Sequence, residues 1–522
     1  MKKTIAALAG AGVLTAALTA CGGGGQGGSV VEGGTFTYLI GSDLGTLDPQ
    51  FTTLSVAIQA GKFLYDSLVS LDPKGEETAA LAQQWEGDTT HAKYTLRKGV
   101  TCSDGSPLTA KQVADNINFV TDPANGSSML GLTVQPGVRA TADEAAGTVT
   151  VTAAAPDAFL VRNVGSLPIV CAKGMRDRGL LKQGSDGTGM FTLTEAVSGD
   201  HYTFTRRKDY RWGPNTGDPR GMPEHVVLRV VGNETTTANL LVSDQANAAQ
   251  VNGPERQRLD AMDLEKKATQ AILGEMWFDQ APGLPTADEA VRRALTQALD
   301  LGQLGQVLTS GTGRPTDGLV APGMGPCGSS GLAGLLPKSD ATAAKSALDS
   351  AGWVAGAGGV RAKDGKKLSV SFYYPTTLGS TMQAAAELVQ QRWSAIGVQV
   401  EVKGMTDAES SQILAQNSWG AALVPLTTVL PSQLVPFFSG PGGTSGNNFA
   451  QVHNPEYDAA VKAASSLTGT SGCGKWADAE KALVRALNVV PFVNSVRPTY
   501  VQGARFDLAE GSIIPGSIRM LG

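Results

Sequence analysis

Five cysteines are the side chains of this chain best suited to covalent chemistry, and their spacing sorts them into two kinds. Cys21 stands near the start, directly after Leu18-Thr19-Ala20, whereas Cys102, Cys171, Cys327 and Cys473 lie far apart with no C-x-x-C between them. Four scattered histidines add no metal-ligand spacing, so neither a metal nor another cofactor is expected. Catalytic signatures are missing too, with no H-E-x-x-H, no G-x-S-x-G and no G-x-x-x-x-G-K-[ST]. Gly472-Cys473-Gly474-Lys475 comes nearest to a phosphate loop but lacks the first glycine spacing and the Ser/Thr. The expected chemistry is therefore non-covalent binding. Trp277, Trp419 and Phe449 are the leading aromatic candidates for the walls of a binding cleft, because rings supply contact area at little entropic cost. The same side chains equally suit core packing.

The composition is that of a large globular protein. A chain of 522 residues with 42% hydrophobic and 17% charged side chains is globular and too long for one ordinary core. A formal net charge of −5 and the absence of long Lys/Arg blocks exclude a nucleic-acid partner. Lys2-Lys3, the apolar run 4–20 and the small residues before Cys21 predict a secretory signal over 1–20. The glycine-rich stretch 21–34 predicts a flexible tether.

These candidates need rigid elements to hold them, and residues 81–119 show the clearest local order. A strand is expected over 93–97, a turn at Asp104-Gly105, and a helix opened by a Thr109/Gln112 capping box with Val113, Ile117 and Val120 on one face. Helices over 55–68, 341–350, 381–396 and 476–487 and strands over 35–40, 368–374, 398–402 and 489–494 predict an α/β chain. Thr286 is the expected N-cap of a further helix with Val291, Leu295, Ala298 and Leu299 inward.

The same 81–119 stretch resembles the peptide/nickel class of extracytoplasmic solute-binding proteins of ABC importers (family 5), through Leu81-Ala82, Trp85, Tyr94 to Val100 and Ser103 to Val113. Leu47-Asp48-Pro49, Gly187-Thr188-Gly189, Asp209-Tyr210 and Asn454-Pro455 fit the same pattern. The Leu18-Thr19-Ala20-Cys21 ending resembles a lipobox, which implies lipidation of Cys21 and a place on the outer face of the cytoplasmic membrane; a plain secreted protein or uncleaved anchor is the alternative.

The resemblance implies a two-lobed periplasmic-binding-protein-like (Venus flytrap) α/β fold with an extra subdomain in lobe I. It places the first part of lobe I at 35–275 with the outer subdomain at 71–190, lobe II at 276–485 and the lobe I return at 486–522. It implies a monomer that hands a peptide or other small solute to permease subunits whose ATPases supply the energy. Thr53, Leu54, Ser55, Asn252 and Asn448 become ligand candidates with the three aromatic residues, although a turn and helix cap account equally for Ser55. Outside the cytoplasm four cysteines allow three pairings, and Cys102–Cys171 with Cys327–Cys473 keeps each bond within one lobe. Peptide-binding members read approximately R-x-x-W-x-x-D, the aspartate holding the peptide ammonium; here Gln416, Trp419 and Ala422 occupy the three named positions. An oligopeptide is the leading cargo, and the lost acid makes an oligosaccharide or metal chelate the runner-up. An extracytoplasmic enzyme and a surface chaperone or adhesion module are the alternatives from other classes.

Overall fold

The computed structural model describes residues 29–214, 218–262, 264–356, 358–416 and 419–522. The predicted signal, Cys21 and most of the tether lie outside the described residues. Two long strands dominate the rest. The crossover strand Glu265–Phe278 and the return strand Val489–Val501 pair antiparallel from Glu265 opposite Val501 to Trp277 opposite Val489, with a register shift around Gly274.

They form the middle of a ten-stranded sheet. On one side the order continues through Ala248–Gln250, Thr35–Ile40, His225–Val230, His201–Arg206 and Phe191–Val197. On the other it continues through Ala421–Leu423, Ser369–Pro375 and Gln399–Met405. Each wing buries its own apolar cluster. Phe36, Phe63, Phe191, Phe204 and Val226 belong to the first, Phe278, Leu295, Phe372 and Trp393 to the second. The protein is a two-lobed α/β molecule whose lobes share one sheet.

A separate four-stranded sheet, Ala82–Gly87, His91–Leu96, Thr148–Thr152 and Arg139–Asp143, packs the helix Ala110–Thr121. The expected capping box is present: Gln112 N donates to Thr109 Oγ1 at 3.2 Å and Thr109 N to Gln112 Oε1 at 3.3 Å. The Asp104-Gly105 turn also forms, with φ of 84° at Gly105 and the Ser106 amide bonded to Asp104 Oδ1. Two expected caps are corrected. Pro285–Ala287 forms a short 3-10 turn, so Asp288 caps the helix Glu289–Gln297, and the Thr286 hydroxyl donates to the Asp279 carbonyl instead. Ser55 is the first residue of its helix, not its cap, because Leu54 takes the extended cap conformation.

The expected cysteine pairs are both bonded, Cys102 to Cys171 and Cys327 to Cys473. The second spans 146 residues of sequence and ties the start of the helix Cys473–Arg485 to the loop that carries Met324 and Cys327. Restricting so long a loop in the unfolded chain stabilises the fold by roughly 2–5 kcal/mol. Replacing both Cys327 and Cys473 by serine should lower unfolding free energy by that order, and dithiothreitol should shift the wild-type calorimetric midpoint the same way. An unchanged midpoint in both experiments would contradict this role.

Candidate binding cleft

The cleft candidate lies where the two long strands leave the first wing and enter the second. Side chains alternate along a strand, so Met276 and Phe278 enter the apolar core of the second wing, while Glu275 and Trp277 face the opposite side. There Trp277 packs with Trp419, Ala422, Tyr457 and Phe438, its ring centroid 5.0 Å from that of Phe438 and 6.1 Å from that of Phe437. Ala422 sits directly opposite Trp277 on the neighbouring strand.

Of the expected ligand residues, the fold brings Trp277, Trp419 and Ala422 together as buried members of this cluster, with Phe449 half-buried against it. Trp419 is fully enclosed, and its indole N–H donates to the Leu414 carbonyl. Asn448 serves the backbone: its amide donates to the Gly440 and Val452 carbonyls and its oxygen accepts from the Val452 amide, which uses both donors and one of the two acceptor positions. Gln416 ends the helix Asp407–Ala415 and is exposed. Asn252 is exposed, and its backbone amide is held by Glu234 Oε1 at 2.8 Å. Thr53, Leu54 and Ser55 are exposed together on the first-lobe side. Nearby, an open concavity of about 1090 Å³ is lined by Thr46, Asp48, Phe51, Arg178 and Leu180, but Arg178 there is already paired with Asp48 and lies over the Phe51 and Phe119 rings.

Three acids stand out at the lobe junction and in the second lobe, none of them marked by a motif. Glu275 is 1% exposed and its Oε1 accepts the Trp277 indole N–H at 2.8 Å, while Oε2 has no hydrogen-bond partner. Burial pushes this carboxyl up to about 8. Asp279 is fully buried with Oδ1 accepting from the Ala281 amide and Oδ2 unpartnered, and burial pushes it up to about 6. Glu480, on the helix Cys473–Arg485, accepts the Leu319 amide at 2.6 Å and is also raised by burial. Their signal in sequence was the period-two run Glu275, Trp277, Asp279, interleaved with apolar Met276 and Phe278.

Contacts from the first half of the chain close over the second lobe. The Gly469 amide donates to the Ala158 carbonyl at 2.7 Å, and Phe159 stacks on Trp476 at 6.3 Å within a small apolar cluster that includes Leu430 and Ala464. Among the described residues no group of acids, histidines and cysteines is arranged to hold a metal ion, and no helix is long and apolar enough to cross a membrane.

Known proteins share this architecture. Protein XP55 of Streptomyces lividans is 29% identical over 477 residues, covering 87% of this chain and 83% of its own. A substrate-binding protein from Microbacterium hydrocarbonoxydans, solved with 4-hydroxybenzoate hydrazide, is 25% identical and superposes with a TM-score of 0.71, over 93% of this chain and 99% of that one. For fold alone, NikA from Brucella suis, solved with Fe(III)-EDTA, gives a TM-score of 0.76 at 20% identity, over 93% of this chain and 99% of that one. The family model described as bacterial extracellular solute-binding proteins, family 5, matches residues 76–448, most of the described structure. With that match and a two-lobed sheet crossed by two strands, the chain belongs to family 5 of the bacterial extracellular solute-binding proteins.

Proposed function

We propose that this protein is the solute receptor of an ABC importer, held to the outer face of the cytoplasmic membrane through a lipid on Cys21 and a glycine tether over 21–34. Lobe I comprises 35–275 and 486–522, with 71–190 as its outer subdomain, and lobe II comprises 276–485. The observation that carries this reading is the antiparallel pair Glu265–Phe278 and Val489–Val501, which joins the two cores and sets an aromatic and acidic face beside their junction. Two lobes linked by paired strands rotate at low energetic cost, and a solute touching both lobes selects the closed form. The receptor works without enzymatic turnover, as a monomer, and delivers its cargo to the permease.

The cargo is an oligopeptide or peptide-like molecule, with Trp277 and Phe449 as aromatic walls and Thr53, Leu54 and Ser55 reaching it from lobe I. The second reading is a neutral or chelated solute, favoured by the apolar Ala422 and by the hydrazide bound to the Microbacterium relative.

Cys21→Ala should move the protein from the membrane fraction to the soluble fraction of cells, and continued membrane retention would contradict the lipid anchor. For the receptor role, a tryptic casein digest, oligosaccharides and metal chelates are screened by thermal shift and small-angle scattering. A cognate solute at 100 times its Kd should add about 2.7 kcal/mol of stability and reduce the radius of gyration. Absence of both effects with every class would overturn the receptor reading.

A further inference from the structure

Buried polar atoms without partners are rare in folded proteins and mark places where a ligand or water belongs. Among the described residues there are seven such side-chain atoms. Six of them, on Glu275, Asp279, Thr428, Tyr457, Trp476 and Asn494, belong to the two long strands or to the second lobe. Glu275 is central to the group. The Trp277 indole fixes its Oε1 and so orients Oε2. Its backbone carbonyl accepts the Val424 amide, and two residues farther on, about 7 Å along the strand, Ala422 lies opposite Trp277 with only a methyl group.

Among the described residues no cation pairs with this carboxylate. The charged group acting on Glu275 from a neighbouring element is Glu480, which repels it, and Asp279 follows on its own chain. The buried Arg292, by contrast, is compensated. The Arg292 guanidinium, 4% exposed, donates to the carbonyls of Thr286, Ala287, Ala486 and Leu487. A buried acid held at one oxygen by the Trp277 indole, with the Leu426 backbone amide beside it and a small neighbour, can be ionised by a cation supplied from outside.

We propose that Glu275 is the residue that receives a primary ammonium group of the solute, supplied either by a free peptide N-terminus or by an alkylamine. This deepens the receptor reading and rests on it. The balance is simple: the empty site holds a neutral carboxyl, and the ammonium enters as Glu275 releases its proton to solvent, so the pair becomes neutral and the released proton carries the unit charge into solvent.

The test uses the mature receptor in detergent and three probes: a tryptic casein digest, the same digest with its amines acetylated, and a mixture of putrescine and spermidine. Species retained on equilibrium dialysis are identified by mass spectrometry and titrated calorimetrically at pH 7 in buffers of different ionisation enthalpy. Free-amine species should bind at least about a hundredfold more tightly than acetylated ones and release about one proton, and Glu275→Gln should lose both the preference and the proton. Retention of peptides or of simple amines tells the two sources apart.

Equal retention of the acetylated digest, or an amine preference that survives Glu275→Gln, overturns the assignment and leaves the receptor reading standing. Retention of nothing from any probe overturns the assignment too; closure on oligosaccharides or chelates would then preserve the receptor, and no closure at all would overturn both. Should Glu275→Gln fail to fold, the acetylation contrast and proton release of the wild type decide the question alone.

Discussion

The pairing of the crossover strand with the return strand is the constraint on which the molecule depends. Two antiparallel strands that run from Glu265 to Trp277 and from Val489 to Val501 belong to both cores, so neither lobe completes its sheet without them. Their shared hydrogen bonds resist separation of the lobes but leave bending about the pair comparatively soft. The register shift at Gly274 lies beside Glu275, and a bulge of this kind raises local twist and re-aims the side chains that follow. The candidate binding face starts where that irregularity ends.

Charge is handled differently on the two sides of this hinge. In the first lobe Asp66 accepts hydrogen bonds from Tyr210, Trp212 and Thr188, and the Asn116 carboxamide bridges Gln50, Gln112 and Val170. Those groups leave little electrostatic demand unmet, as expected of a scaffold. Where the crossover strand enters the second lobe, Glu275 and Asp279 each keep an oxygen unpartnered, at a desolvation cost of about 1–3 kcal/mol or more apiece. A protein tolerates such a deficit where a bound molecule removes it.

Closure has its own support. The Cys327–Cys473 bond ties the Cys327 loop to the helix that carries Trp476, and both pack in the apolar cluster with Leu430 that receives Ala158 and Phe159 from the first lobe. A rigid receiving surface lets a small apolar contact report the position of the whole lobe. Stacking of Phe159 on Trp476 adds roughly 0.5–1.5 kcal/mol beyond its buried area, a scale suited to a contact that forms and breaks.

Local patterns in the chain by themselves determined the elements. The Thr109/Gln112 capping box, the Asp104-Gly105 turn and the helix Ala341–Ser350 follow from residue type and spacing within a few positions, because caps and turns are satisfied by neighbours in sequence. The family was legible for the same reason, since its motif is contiguous over 81–113. Only the tertiary structure decided the site. Trp277, Ala422 and Glu275 meet through strand pairing across some 145 residues of sequence, and the Asn448 carboxamide is bonded to the backbone on either side of it. Whether a buried carboxylate is compensated depends on what the fold places around it, and no local pattern carries that information.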